Sequence, residues 1–171
     1  MTDKTLSHIK LLLMDADGVL TDGSISYTGD GMQTMTFNVK DGLGLRMVQK
    51  AGIVAGVVTG RKSDALSRRM RELGISLFFD GVSDKGRLLE EILRQTGFLA
   101  EETAFIADDL ADMSIMKKVG VPIAVADAVP VIQSCAVIVT EKPGGKGAVR
   151  EICDAILQAK GVWTDAVAQW E

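Results

Sequence analysis

Two aspartates follow a short apolar run near the start of the chain. The run Ile9-Lys10-Leu11-Leu12-Leu13-Met14 ends in Asp15-Ala16-Asp17-Gly18. Such a run is typical of a central strand in a parallel sheet, and ligands bind beyond the carboxyl ends of these strands. Carboxylates that are buried there need a cation, hydrogen-bond donors or water. The pair therefore predicts either a catalytic centre or, more simply, a strand that ends in an Asx-type turn.

Further polar side chains follow three later runs of strand length. They are Thr59, Lys85 and the acidic group Asp108, Asp109 and Asp112. Each has a purely structural interpretation: a β-branched strand residue, a solvated residue in a first helical turn, and carboxylates that cap a helix. Polar side chains at four strand ends, in this order and spacing, favour one shared site instead.

These side chains suit phosphoryl transfer assisted by a hard cation. Aspartate oxygens without histidine or cysteine are typical ligands of Mg²⁺. One carboxylate can attack phosphorus and form an acyl phosphate. A second, two residues further on, can protonate the leaving alcohol and then activate water. A threonine hydroxyl and a lysine ammonium can hold the phosphoryl oxygens while their charge redistributes.

Composition excludes several other classes of function. The chain has 171 residues, of which 47% are hydrophobic and 25% are charged, and its net charge is −4. This predicts one cytoplasmic globular domain that binds neither nucleic acid nor membrane. His8 is the sole histidine, which argues against serine-histidine and multi-histidine zinc chemistry. Cys135 and Cys153 lack metal-site spacing and are predicted to be buried thiols.

Apolar runs of strand length alternate with amphipathic segments of helix length. This alternation implies parallel strands joined by right-handed crossovers. It predicts an α/β fold with a doubly wound, mainly parallel, Rossmann-like sheet in a single domain over 1–171. The predicted strands are 9–14, 53–58, 75–79, 103–107, 121–126 and 136–139; the predicted helices are 41–50, 63–73, 84–96, 110–119 and 148–159, with one helical turn near 131. After residue 161 no pattern is clear, although Trp163 and Trp170 need apolar neighbours.

An insertion interrupts the alternation after the first strand, at 23–39. Segments 24–27 and 35–39 alternate roughly with period two, and Thr28-Gly29-Asp30-Gly31 lies between them. Turn residues between two alternating runs are typical of a β-hairpin. The insertion is therefore predicted to be a small hairpin, with no large cap domain.

The strand-end residues resemble the four motifs of the haloacid dehalogenase superfamily phosphatases, and the resemblance covers nearly the whole chain. The matching residues are Asp15-x-Asp17-Gly18-Val19-x-Thr21, then Thr59-Gly60-Arg61, then Lys85, then Asp108-Asp109-x-x-Asp112. The family's fourth motif usually begins with glycine, whereas this chain has Ala107. An alanine at that strand end is strained only if its φ is positive.

That resemblance implies a role for each motif residue. Asp15 is the expected nucleophile and Asp17 the expected general acid and base. Asp15, the backbone carbonyl of Asp17, and Asp108 are the expected Mg²⁺ ligands. Thr59 and Lys85 are expected to hold the phosphoryl group, while Asp109 and Asp112 orient metal-bound water or Lys85.

A narrower resemblance concerns the hairpin, residues 37–42 and the glycine-rich residues 144–151. They resemble the capless 3-deoxy-D-manno-octulosonate 8-phosphate phosphatases, which act in lipopolysaccharide precursor synthesis. This resemblance implies a homotetramer in which the hairpins form a barrel, neighbouring chains cover the active sites, and the C-terminal part (143–171) reaches an adjacent subunit. The residues implied to bind the acidic sugar phosphate are Asp17, Asn38, Val39, Lys40, Asp41, Gly42, Gly60, Arg61, Arg69 and Lys85.

Three other hypotheses stay open at this point. The same reaction on another acidic sugar phosphate, such as a nine-carbon 2-keto-3-deoxy sugar acid, fits because these motifs cannot count the substrate's carbons. A non-catalytic module of the same fold is disfavoured because the motif acids and Lys85 are intact. A phosphorylated receiver domain also has strand-end acids, but it would not need Asp17.

Overall fold

A parallel sheet crosses the centre of the molecule in the computed structural model, which describes residues 5–168. In chain order the strands are β1 (Leu11–Met14), β2 (Ser26–Tyr27), β3 (Gln33–Thr34), β4 (Val54–Val58), β5 (Leu77–Phe79), β6 (Thr103–Ala107), β7 (Val121–Ala124) and β8 (Ile138–Val139). Six of them form the central sheet in the order β5-β4-β1-β6-β7-β8, and every neighbouring pair is parallel. This confirms the predicted doubly wound α/β fold.

The strand order reverses direction at β1: β4 and β5 lie on one side of it, and β6, β7 and β8 lie on the other. All four residues of β1 are fully buried, as expected for a strand covered on both faces. Met14 pairs with Val57 of β4 and with Ile106 of β6. Side chains that follow these three strands therefore lie at the switch point, where open α/β sheets bind their ligands.

Helices cover both faces of the sheet. They are α1 (Val39–Lys50), α2 (Asp64–Leu73), α3 (Lys85–Thr96), α4 (Met113–Met116), α5 (Pro130–Cys135), α6 (Ala148–Ala159) and α7 (Trp163–Ala168). Ser63 caps the N-terminus of α2 by accepting a hydrogen bond from the N–H of Leu66, and Asp84 caps α3 by accepting one from the N–H of Arg87. Within residues 5–168, no helix combines the length and apolar character that crossing a bilayer requires.

The predicted hairpin is present but shorter than expected. Strands β2 and β3 pair antiparallel, with Ser26 opposite Thr34. The second strand was expected at 35–39, which was wrong: the strand is at Gln33–Thr34, and Val39 begins α1. Asn38 ends the extended segment because its side chain caps α1 by accepting a hydrogen bond from the N–H of Lys40.

Several predicted elements differ in length or kind. The helix expected at 110–119 is a 3₁₀ turn at 110–112 followed by the short helix α4. The segment after 161, for which no element was predicted, contains α7, which packs against α6, and Trp163 packs against the core; Trp170 lies outside the described residues. Cys153 is buried as predicted, whereas Cys135 is exposed, so the prediction for Cys135 was wrong.

Candidate active site

Strand register brings the first and fourth acidic motifs to the same edge of the sheet. Asp15 follows Met14 directly, and the β6 partner of Met14 is Ile106, two residues before Asp108. On the other side, Thr59 follows β4. Thr59 is buried, its N–H donates to the carbonyl of Phe79 at 2.9 Å, and its carbonyl accepts from the N–H of Val82 at 3.0 Å. Three strands thus present polar groups to one crevice.

The residues after β1, 15–22, form a tight turn that we call the catalytic loop. The N–H groups of Val19, Leu20 and Thr21 all donate to the carbonyl of Ala16, at 2.9–3.3 Å. Gly18 has a φ of +82°, which favours glycine. An ideal Cβ at Gly18 would lie 2.0 Å from Oδ2 of Asp108. The Asp108 carboxylate therefore rests directly against the backbone of the catalytic loop.

Lys85 links two acidic motifs. It is the first residue of α3, and its Nζ lies 2.9 Å from Oδ1 of Asp15 and 2.6 Å from Oδ1 of Asp112. The other oxygen of Asp112 accepts a hydrogen bond from the N–H of Asp108 at 3.2 Å. Burial lowers the pKa of Lys85, but the Asp15 and Asp112 charges outweigh this effect and raise it. The ammonium therefore stays charged in the site.

The acidic cluster is short of positive charge. Asp15, Asp108 and Asp112 each offer a carboxylate oxygen, and these atoms all lie within 4.8 Å of one another. Within residues 5–168, Oδ1 of Asp108 is buried without a hydrogen-bond partner. Burial and the neighbouring carboxylates raise the pKa of Asp108 to about 7 and that of Asp112 to about 6.

The pKa of Asp15 is also raised by burial, although Lys85 and the N–H of Ala16 act against this. One ammonium cannot balance the negative charge of three carboxylates, so the cluster can bind a further cation. All of its ligands would be oxygens, which Mg²⁺ prefers. The residues present thus fit a magnesium ion. Asp15 and Asp108, both predicted ligands, lie in this cluster.

The side chain of Asp17 lies apart from the acidic cluster. Its Oδ2 is 3.6 Å from Nε of Arg61, and both side chains are partly exposed, 28% and 41% respectively. The backbone of Arg61 is fixed in the turn that follows β4, since its N–H donates to Oγ1 of Thr59 at 3.4 Å. The Asp17 side chain thus lies outside the group of three carboxylates and is partly open to solvent.

The two acids that follow Asp108 in the fourth motif have different surroundings. Asp112 is buried on Lys85, as described above. Asp109 is exposed, and its Oδ1 accepts a hydrogen bond from the N–H of Leu110 at 2.7 Å. Ala107 is buried in β6, and no described non-glycine residue has a positive φ, so alanine is unstrained there.

Four residues of the predicted sugar-binding set line one cavity of 320 Å³. They are Val39, Lys40, Gly42 and Arg69, and the cavity is completed by Leu43, Arg46 and Leu73. The guanidinium of Arg69 lies over the ring of Phe37, with 5.9 Å to the centroid. An ideal Cβ at Gly42 would lie 2.2 Å from Nη2 of Arg69. Glycine at 42 therefore makes room for this arginine.

The structure contradicts the prediction that Asp41 faces the sugar. Asp41 is 1% exposed, and its Oδ1 accepts a hydrogen bond from the N–H of Arg150 at 2.8 Å. Arg150 is in the first turn of α6, whose free N–H groups attract a carboxylate. Burial raises the pKa of Asp41. Its side chain joins two helices and does not line the cavity.

Sequence reasoning missed Arg46, which lines the cavity beside Arg69. Its guanidinium also donates to the carbonyl of Glu72 at 2.7 Å. Arg46 is four residues after Gly42 and therefore shares its helix face. Helical spacing from the predicted segment 38–42 was the signal that could have found it.

The glycine-rich loop, residues 143–147, was expected to reach a neighbouring subunit. The structure shows it on the catalytic loop of its own chain. The N–H of Gly145 donates to the carbonyl of Val19 at 2.9 Å, and Nζ of Lys146 lies 3.5 Å from Oδ2 of Asp22. The backbones approach this closely because Gly144 and Gly145 have no side chain. That expectation was therefore wrong for residues 143–147.

Comparisons with known proteins agree with this geometry. Residues 77–152 match the family model of haloacid dehalogenase-like hydrolases. The 3-deoxy-D-manno-octulosonate 8-phosphate phosphatase of Haemophilus influenzae is 43% identical over 156 residues, which are 91% of this chain and 87% of that protein.

Two solved structures are closely similar. The crystal structure of 3-deoxy-D-manno-octulosonate 8-phosphate phosphatase from Moraxella catarrhalis, in complex with magnesium ion, phosphate ion and KDO, has a TM-score of 0.96 and 37% identity; the match covers 99% of this chain and 98% of that one. The cobalt-bound Haemophilus influenzae phosphatase has a TM-score of 0.90 and 42% identity over 94% of each chain. The chain therefore belongs to the 3-deoxy-D-manno-octulosonate 8-phosphate phosphatase family of haloacid dehalogenase-like hydrolases.

Proposed function

We propose that this protein is a Mg²⁺-dependent phosphatase that hydrolyses 3-deoxy-D-manno-octulosonate 8-phosphate to the free sugar acid and phosphate. The observation that carries the proposal is the cluster of Asp15, Asp108 and Asp112 around Lys85. The substrate follows from relatives of that name and from the similar structure that holds magnesium, phosphate and KDO. The reaction belongs to lipopolysaccharide precursor synthesis.

Asp15 is the nucleophile in this proposal. Its Oδ1 accepts hydrogen bonds from the N–H of Ala16 at 2.7 Å and from Lys85 at 2.9 Å. Because two donors occupy Oδ1, we expect Oδ2 to attack phosphorus. A bond forms between Asp15 and phosphorus while the phosphorus–oxygen bond to the sugar breaks. Lys85, together with the Thr59 hydroxyl, stabilises the charge on the phosphoryl oxygens during this transfer.

Asp17 moves the protons of both steps. It gives a proton to the departing sugar oxygen, and it then takes a proton from the water that attacks the aspartyl phosphate. That second attack releases phosphate and restores the Asp15 carboxylate. Arg61, 3.6 Å from Oδ2 of Asp17, orients this side chain and contacts the substrate beside Gly60.

Asp15, Asp108 and the backbone carbonyl of Asp17 would hold the metal ion. Bound Mg²⁺ supplies positive charge that neutralises the incoming phosphate dianion and so permits an anionic nucleophile to approach. Asp112 keeps Lys85 in place through the 2.6 Å ion pair. Asp109 is assigned to the orientation of metal-bound water.

The cavity at the start of α1 is the proposed site for the sugar acid. Lys40, Arg46 and Arg69 place three cationic side chains around it, and cationic donors are what a substrate carboxylate needs. Asn38, Val39 and Gly42 complete this side of the site.

We propose a homotetramer in which the hairpins form a barrel and neighbouring chains cover the active sites. Apolar side chains on the hairpin support an interface there: Tyr27 is 66% exposed and Met32 is 63% exposed. Exposed apolar clusters mark contact surfaces. The proposal also includes one domain over 1–171 and a cytoplasmic location, for which free Cys135 and Cys153 are typical.

A panel of substrates tests the proposal. Phosphate release is measured with the eight-carbon sugar acid phosphate, a nine-carbon 2-keto-3-deoxy sugar acid phosphate and glucose 6-phosphate, each with Mg²⁺ and with EDTA. We expect the highest kcat/KM for the eight-carbon acid, and only with Mg²⁺. A higher kcat/KM for the nine-carbon acid would favour that alternative, and no hydrolysis of any compound would favour a non-catalytic module.

A further inference from the structure

The glycine-rich loop touches the catalytic loop through backbone atoms. Gly144 is buried, and an ideal Cβ on it would lie 1.7 Å from the carbonyl oxygen of Gly18 and 3.1 Å from that of Thr21. Gly144 has no positive φ, so its backbone conformation is open to any residue. Glycine is required at 144 for space, because a side chain would push on the carbonyl of Gly18.

Gly18 is confined from two sides. Its carbonyl faces Gly144, while its Cα faces the carboxylate of Asp108, as described above. Any displacement of Gly18 therefore moves the peptide that joins it to Asp17, and it also changes the space available to the Asp108 carboxylate. These are two of the three groups assigned to the metal ion.

The glycine-rich loop is itself fixed from outside the site. The N–H of Gly144 donates to Oδ1 of Asp127 at 2.9 Å. At the beginning of the loop, Glu151 accepts hydrogen bonds from the N–H groups of Glu141 and Lys142, at 2.9 and 3.1 Å. Asp127 follows β7, whose parallel pairing with β6 ties it to the strand that carries Asp108. The loop is therefore a rigid wall behind the catalytic loop.

We propose that Gly144 and Asp127 are positioning residues for the metal site. Asp127 holds Gly144 in place, and the Cα of Gly144 restricts the movement of the Gly18 carbonyl. This contact keeps the Asp17–Gly18 peptide and Asp108 oriented for Mg²⁺. Neither residue is among those assigned to the substrate. The inference rests on the proposed function, because it assumes the metal ligands assigned there.

The first test is Gly144→Ala, with calorimetric titration of Mg²⁺ into the metal-free protein. We expect Mg²⁺ to bind about 10-fold more weakly, because supporting groups of a metal site have effects of this size. The loss should appear in kcat, with the KM for the sugar acid phosphate nearly unchanged. Gly29→Ala is the matched control, since Gly29 has no positive φ and nothing lies within 4 Å of its ideal Cβ.

The second test uses Asp127, which is exposed, so its substitution leaves the core intact. We expect Asp127→Ala to weaken Mg²⁺ binding roughly 3- to 10-fold, the effect of one lost hydrogen bond. Asp127→Asn keeps an oxygen acceptor and should restore the wild-type affinity.

Wild-type Mg²⁺ affinity and kcat in both Gly144→Ala and Asp127→Ala would overturn the proposal, as would failure of asparagine to restore binding. Calorimetry needs no substrate, so it gives its answer even if the wild-type chain does not hydrolyse the sugar acid phosphate. Absence of hydrolysis by the wild-type chain would reject the proposed function but not the positioning role of Gly144 and Asp127.

Discussion

The Nζ atom of Lys85 lies 2.6 Å from Oδ1 of Asp112, and these side chains are 3% and 0% exposed. The same Nζ lies 2.9 Å from Asp15. One buried ammonium thus serves both the proposed nucleophile and an acid that follows another strand. Removing one partner of a buried pair leaves an uncompensated charge.

We expect Lys85→Met to lower the free energy of unfolding by about 3 kcal/mol. It should also reduce kcat by about 10²–10³, the effect of losing one donor to transition-state charge. Thermal unfolding and steady-state kinetics measure the two effects. In the control Lys118→Met, the lost ion pair with Glu90 is exposed, so stability should change by less than about 1 kcal/mol. Equal effects of the two substitutions would contradict the assigned role of Lys85.

Asp108→Asn should make the metal-free protein more stable at alkaline pH. Burial and neighbouring carboxylates raise the pKa of Asp108 from 3.8 to about 7. A raised carboxyl pKa contributes stability at low pH, and this stability is lost as the pH rises through 7. We expect the variant to exceed the wild type by roughly 1–2 kcal/mol at pH 8, since solvent screening reduces the full effect.

Urea unfolding in EDTA at pH 5 and pH 8 measures this difference, which should shrink at the lower pH. With Mg²⁺ added, the order should reverse, because only the wild type gains stability from binding the metal. A variant that is less stable than wild type in EDTA at pH 8 would show that the ionised Asp108 carboxylate does not destabilise the folded protein.

Asp17→Asn should separate proton transfer from metal binding. Its side chain lies on Arg61 and apart from the acidic cluster. We expect kcat to fall by about 10²–10⁴, the usual contribution of general acid–base catalysis, while calorimetry shows nearly unchanged Mg²⁺ affinity. Loss of Mg²⁺ affinity would instead assign this side chain to the metal.

The exposed apolar side chains of the hairpin predict that copies of this chain assemble into a tetramer. We expect the double substitution Tyr27→Ser and Met32→Ser to shift sedimentation from tetramer to smaller species, and activity to fall in parallel because neighbouring chains complete each site. Leu99→Ser is the control, since Leu99 is a comparable exposed apolar side chain, 59% exposed, away from the hairpin. A wild-type chain that sediments as a monomer would remove the basis for a shared site.

Much of the fold and of the acidic cluster could be predicted because both depend on short-range patterns. Apolar runs define β1 and β6, and parallel register then brings Asp15 and Asp108 together without knowledge of any side-chain contact. The surroundings of Asp41 could not be predicted in this way. Its carboxylate faces the N–H of Arg150, 109 positions away, and only helix packing decides that.

The contact of Gly144 with Gly18 escaped prediction for the same reason. Two glycines 126 positions apart carry no pattern that pairs them, and a glycine-rich segment fits a flexible tail as well as a fixed wall. Helix α7 was missed because it is only six residues long, too short for a helical period to stand out.

The nucleophilic role of Asp15 is tested most directly by trapping the phosphorylated chain. Wild-type protein is mixed with Mg²⁺ and 3-deoxy-D-manno-octulosonate 8-phosphate, quenched in acid within milliseconds, reduced with borohydride and mapped by peptide mass spectrometry. Reduction of an aspartyl phosphate gives homoserine, and we predict it at position 15. Homoserine at position 17 or 108, or none during rapid turnover, would contradict the account.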